Sequence, residues 1–199
     1  QSVNLVSIKL LREIGVNTAT EFLTKFGFSR DRLAPDLSLA LGSSSFSPAE
    51  MVRAYSILAN SGEGQDLYFI EKIKDRNGNI IFQHLGPDKD TEFAYRLEAF
   101  PWFDIELDDA QDPFLLLPSL DINKKSIDPR IAFLTKDILR EAIQRGSNGK
   151  KTKILDRKDI AGKTGTTNDS ISTWFSGFHK DLVSTVWVGT DNFSSLGVN

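Results

Sequence analysis

Three strand-like runs close the chain, at 159–167, 172–179 and 182–190, and they constrain its fold more than any other feature. Each is rich in β-branched and aromatic residues and bounded by Gly, Asn, Asp or Lys. The link between the last two is short, which favours an antiparallel meander. A sheet of this kind needs a cover, and the rest of the chain supplies helices. Leu5, Ile8, Leu11 and Ile14 recur on one helical face and stop at Gly15. A second short helix follows, with Asn17 or Thr18 as cap, Phe22, Leu23 and Phe26 inward, and Gly27 at its end. Ser47-Pro48-Ala49-Glu50 is a capping box with proline where its missing N–H is harmless, and predicts a helix to about Asn60, with Gly62 beyond. A further helix spans about Pro129 to Arg145, stopped by Gly146. Residues 69–83 read as a hairpin turning at Asn77-Gly78. The fold class is therefore α+β, an antiparallel sheet covered by helices.

Between about 84 and 129 the pattern fails. The segment is acidic and proline-interrupted, and reads as a long insertion in an otherwise single domain spanning 1–199. The chain has 199 residues, 40% of them hydrophobic, with net charge −3, so nothing suggests a basic nucleic-acid face. It has no cysteine, hence neither a disulfide scaffold nor a thiolate metal site. No apolar run reaches the roughly 18 residues of a membrane span. A chain beginning at Gln1 reads as a fragment whose membrane anchor would lie outside it.

The strongest local signal is Ile160-Ala161-Gly162-Lys163-Thr164-Gly165-Thr166-Thr167-Asn168. A Lys-Thr-Gly triplet alone arises by chance in roughly one chain in twenty-five of this length, and Lys163 alone reads best as a solvated strand lysine. On a strand, however, the hydroxyls of Thr164 and Thr166 project to one face. Lys163 and Gly165 project to the other, so Lys163 requires twist or a bulge to reach the same pocket. The glycines remove side chains where a ligand backbone could approach. Ser2-Val3-Asn4 stands before the first helix, where Ser2 as a simple N-cap is the plainer reading. Motifs of the penicillin-binding proteins and serine β-lactamases combine Ser-x-x-Lys, a Ser-x-Asn-like element and Lys-Thr-Gly. The second and third occur here in that order.

With these, Leu39-Ala40-Leu41-Gly42, Ser47-Pro48, Ala54-Tyr55, Ala59-Asn60-Ser61-Gly62, Trp174-Phe175-Ser176-Gly177 and Val186-Trp187-Val188-Gly189 give a pattern that resembles the transpeptidase domain of class A penicillin-binding proteins, nearest the Gram-negative 1A type. The resemblance covers most of the chain outside 84–129. It implies a penicillin-binding transpeptidase or serine β-lactamase-like fold, incomplete in this chain, and a serine acyltransferase that cross-links peptidoglycan stem peptides without a cofactor. It implies catalytic roles for Ser2, Asn4 and Lys163: proton relay, substrate-amide binding and positive charge, respectively. Thr164, Gly165, Thr166 and Thr167 would bind substrate, with the Thr166 N–H in the oxyanion hole and the peptide added along the strand. Implied partners are stem peptides, lipid-linked precursor, β-lactam antibiotics and the N-terminal remainder of the same protein, on the periplasmic side of the inner membrane.

The nucleophile is the missing part. Ser147-Asn148-Gly149-Lys150 spells Ser-x-x-Lys, but it follows the second motif and sits in a Gly-flanked loop, so it is rejected. This chain alone is expected to be inactive. Its rivals are a catalytically silent substrate- or antibiotic-binding module and a P-loop protein. Against the latter, Arg157 stands where the first P-loop glycine belongs, and Lys163 leads into a strand. A β-lactamase or D,D-carboxypeptidase shares the motifs, but the long separation of Ser2 from Lys163 and the Ala-Leu-Gly block favour a synthase. His84 and His179 are isolated, no zinc spacing occurs, and the acidic run 104–109 lacks the pattern of a calcium loop. Trp174, Phe175 and Trp187 read as core aromatics, or as walls of a groove.

Overall fold

The computed structural model describes residues 3–65, 67–83, 126–146, 157–167, 171–190, 192 and 194–197. Two compact units divide the chain, one of residues 1–65 and 118–199, the other of residues 66–117.

In the first unit the helices form where the sequence places them. Helix α1 (Asn4–Ile14) ends at Gly15, whose φ of +88° no larger residue adopts cheaply. Helix α2 (Val16–Thr24) starts directly after that glycine, so neither Asn17 nor Thr18 caps it. Gly15, with its positive φ, is itself the N-cap residue and has no side chain to offer as a cap. Helix α3 (Pro48–Ala59) carries the complete capping box: the Ser47 hydroxyl accepts from the Glu50 N–H, and the Glu50 carboxylate accepts from the Ser47 N–H at 2.7 Å. Helix α4 (Pro129–Arg145) is capped by Asp128 and stopped at Gly146.

Strands β3 (Ala161–Thr166), β4 (Ser172–His179) and β5 (Leu182–Gly189) form the expected antiparallel meander, in the order β3-β4-β5. Helix α4 packs on β3 and α3, and α3 packs on β4 and β5. Between helices and sheet lies a core of Ile57, Leu58, Ile127, Ala132, Ala161 and Phe178, flanked by Phe26, Tyr55, Leu139 and Val183. Ile57 is fully buried, which is worth about 1.5–3 kcal/mol. Most of the expected insertion lies outside the described residues. At its end Ile127 is buried, its N–H donates to the Gly62 carbonyl, and Asp128 caps α4.

The first helix departs from its sequence pattern. Of the apolar face only Leu11 is buried; Leu5 and Ile14 are exposed. The periodicity is present, but α1 packs on α2 and the helical turn Leu37–Leu41, which cover only part of its circumference.

Of the second unit, residues 67–83 are described. They contain the expected hairpin, β1 (Lys72–Lys74) paired antiparallel with β2 (Ile80–Gln83). Gly78 has φ +86°, and the Asp75 carboxylate accepts from the N–H groups of Asn77 and Asn79, both at 2.8 Å. A register shift between Ile73 and Lys74 marks the strand.

Candidate active site

Strand β3 carries the Lys163-Thr164-Gly165-Thr166 motif in unbroken register with β4. Lys163 stands opposite Ser176, Thr164 opposite Phe175, Gly165 opposite Trp174 and Thr166 opposite Thr173. No bulge interrupts the pairing, so the alternation read from the sequence holds. Ala161, Lys163 and Gly165 share the face turned to α3 and α4, while Gly162, Thr164 and Thr166 share the other. The Lys163 ammonium folds back along its own strand and donates to the Thr164 carbonyl at 2.7 Å. That bond holds the ammonium at the backbone of β3, between its two faces. A lysine in mid-strand also removes the P-loop reading, which needs a helix after Gly-Lys-Thr.

The strand is thin where a ligand would approach. Gly162 is buried under the Phe175 ring, and a Cβ there would stand 2.8 Å from the Ser176 carbonyl and 3.2 Å from Phe175 Cζ. Phe175 thus acts as a wall, with its partly exposed ring covering both Gly162 and Gly177. Trp174 and Trp187, cross-strand neighbours with ring centroids 6.3 Å apart, are half-buried, and Trp174 stands opposite Gly165. None of the three aromatics is a fully buried core residue; they line the sheet. Among the described residues β3 pairs on one side only, leaving its other edge as a template for an extended peptide.

Thr167 lies just past the strand. Its hydroxyl accepts from the Ser172 N–H at 2.8 Å and its N–H donates to the Ser172 carbonyl at 3.1 Å. That hydroxyl therefore closes the β3–β4 connection. Thr166 is exposed and Thr164 half-buried.

Asn4 is the exposed first residue of α1. Ser2 lies outside the described residues, as do Ser147–Lys150 and His84. The N-cap position is Val3, which offers no side-chain cap, so the plain reading of Ser2 as that cap does not hold. The two groups of predicted residues sit on different elements: α1 packs on α2 and residues 37–41, and β3 on β4 and α4. His179 ends β4, where its Nδ1 accepts from the Asp181 N–H at 3.2 Å, a turn contact. No group of His, Cys, Asp or Glu among the described residues could hold a metal ion.

A cavity of about 500 Å³ opens at the opposite end of β3, beside Ala161, Phe178, Asp159, Lys136 and Arg140. Its charges are largely answered locally, by Arg140–Asp137 at 2.6 Å and Arg157–Asp159 at 2.5 Å.

The chain matches the model of the penicillin-binding protein transpeptidase domain over residues 1–192. It belongs to that family. Penicillin-binding protein 1A of Pseudomonas aeruginosa is 37% identical over 216 residues, covering 99% of this chain and 26% of the relative. The Escherichia coli protein of the same name is 33% identical, with 96% of this chain and 26% of the relative covered. The crystal structure of penicillin-binding protein 1A from Haemophilus influenzae superposes with a TM-score of 0.76 at 32% identity, over 99% of this chain and 30% of that one. The fold extends further: PonA1 of Mycobacterium tuberculosis in complex with penicillin V gives a TM-score of 0.58 at 18% identity, over 94% of this chain and 45% of that one. The chain thus spans about a quarter of the length of its curated relatives. It has the penicillin-binding transpeptidase fold, an α+β arrangement.

Sequence reasoning identified the β3 motif but missed its surroundings. Ser176 is only 3% exposed, lies opposite Lys163 and accepts a hydrogen bond from Thr185 at 3.0 Å. Only the register of three strands brings these residues together.

Proposed function

We propose that the protein carrying this chain is a serine-type peptidoglycan D,D-transpeptidase, and that residues 1–199 supply the substrate-binding half of its site. The observation that supports this most is the Lys163–Thr166 motif on a strand with an open edge, glycine-thinned beneath Phe175. A stem peptide ending in D-Ala-D-Ala adds along β3. Thr164 and Thr166 bind its carboxylate through their hydroxyls, and Lys163 supplies the compensating charge. Asn4 holds the substrate amide, and Ser2 passes a proton to the departing amine. Thr167, whose hydroxyl is engaged by Ser172, fixes the end of the strand.

The nucleophile is a serine of a Ser-x-x-Lys pair in chain outside these residues. Its oxygen bonds to the penultimate D-Ala carbonyl carbon while the terminal peptide bond breaks, and D-Ala leaves with the relayed proton. The Thr166 N–H stabilises the oxyanion. An amine of a neighbouring stem peptide then attacks the ester, forming the cross-link and restoring the serine. β-Lactams acylate the same serine, a reading supported by the relative solved with penicillin V. The substrates are stem peptides, including those of lipid-linked precursor. The site faces the periplasm, and the protein is held at the inner membrane by a segment outside this chain. No described helix is long and apolar enough to cross a membrane.

Fluorescent penicillin tests the reading. The full-length protein should label covalently, and residues 1–199 alone should not. A folded full-length protein with an intact Ser-x-x-Lys that takes no label would instead be a silent binding module.

A further inference from the structure

The face of the sheet turned to α3 and α4 is crossed by three rows of side chains. Ala161, Phe178 and Val183 form an apolar row that belongs to the core. Gly165, Trp174 and Trp187 form an aromatic one. Between them runs a polar row: Lys163 on β3, Ser176 on β4 and Thr185 on β5, each directly opposite the next. A buried hydroxyl between an apolar and an aromatic row is costly unless it is hydrogen-bonded. Ser176 is 3% exposed, and Thr185 Oγ1 donates to its Oγ at 3.0 Å. Directly opposed residues in an antiparallel pair hold their Cβ atoms about 4.5–5.5 Å apart. The flexible stem of Lys163 therefore runs within reach of the Ser176 oxygen, yet its ammonium donates to the Thr164 carbonyl.

We propose that Thr185 is a positioning residue which, by donating to the buried Ser176 oxygen, weakens the pull of that oxygen on the Lys163 ammonium and leaves the ammonium on the Thr164 carbonyl. This inference rests on the functional reading above, in which Lys163 acts from that position. Without the Thr185 donor, Ser176 is a buried acceptor directly opposite Lys163. A charge-assisted hydrogen bond there would be stronger than the neutral bond it replaces. The ammonium would then sit on the core face, away from the substrate carboxylate.

The account predicts suppression as well as loss. In the full-length protein, the limiting rate of acylation by fluorescent penicillin should fall about three- to tenfold in Thr185→Val, which keeps the shape and removes the donor. Half-saturation should change less than the limiting rate. Thr185→Ser, which restores the donor, should return to the wild-type rate. Ser176→Ala should be near wild type alone and should restore the rate when combined with Thr185→Val, because it removes the competing acceptor. Equal rates in Thr185→Val and wild type would overturn the proposal. So would a double variant no faster than Thr185→Val with both folded, since a packing role predicts additive losses. Failure of Thr185→Val and Thr185→Ala to fold would also overturn it, by making Thr185 a folding residue. If the wild-type protein takes no label, the functional reading falls first and this inference with it. If wild type labels and the suppression is absent, only this inference falls.

Discussion

Gly27 and Arg53 make one local unit. Gly27 has φ +84° after α2, and the Arg53 guanidinium occupies the space a side chain would need, its Cζ 2.8 Å from where a Cβ would stand. Arg53 is 2% exposed and its Nη2 donates to the Gly27 carbonyl at 2.8 Å. Gly27→Ala would impose left-handed strain of about 1–2 kcal/mol and also displace a buried cation. Denaturant unfolding should show a loss of at least that size, with an unchanged denaturant slope. A second residue-scale test concerns Asp159, whose carboxyl Arg157 holds down at about 2 through its hydrogen bonds. A depressed carboxylate adds stability above its unfolded value, and that stability is lost as pH falls through the folded one. Because Asp159 is exposed, the expected readout is its own titration by NMR, near 2 in the wild type and returned toward 3.8 in Arg157→Ala. The glycine stop was readable in the sequence. The arginine was not, because Gly27 and Arg53 meet only when the fold brings α3 against the turn that follows α2.

At the scale of elements, Glu50 joins three features. One carboxylate oxygen completes the Ser47 capping box and the other accepts from Arg32 at 2.6 Å, with the Glu50 side chain almost fully buried. Arg32 also donates to the Ser45 carbonyl, which ties the 42–47 loop to α3. Ser47→Ala removes the cap and the hydroxyl's own bond to the Glu50 carboxylate, leaves the Arg32 pair in place, and should cost about 1 kcal/mol. Glu50→Ala removes the cap's return bond and strands Arg32, and should cost about 2–3 kcal/mol. Equal losses in the two would refute the joint role. The helices and the three-strand meander were legible because each carries its own start, stop and period. The capping box and the glycine stops are local chemistry. Which face of α1 is buried was not legible, since four apolar residues at helical spacing say nothing of how much cover a helix receives. Nor was the path of Lys163: alternation gives the face of its Cβ, while the ammonium lies a full side chain further on.

Across the whole molecule, the family rests on blocks spread over most of the chain and on the match over residues 1–192. The site is less complete. Lys163 to Thr166 are fixed by the register of β3, Thr167 by its bonds to Ser172, and Asn4 by the start of α1, so the two groups ride on separate elements. The motif residues were legible as chemistry, while the polar row behind Lys163 required knowledge of which strand residues face one another. Residues 84–125 offered no periodicity to read, and that part of the sequence analysis remains an expectation.

The central claim is that Lys163 serves acylation from this strand. It is tested most directly by measuring the acylation of the full-length protein by fluorescent penicillin, wild type against Lys163→Ala, with thermal unfolding as the control for folding. The predicted result is a loss of about 100-fold or more in the acylation rate constant with the unfolding temperature little changed. A folded Lys163→Ala protein that acylates at the wild-type rate would contradict the account.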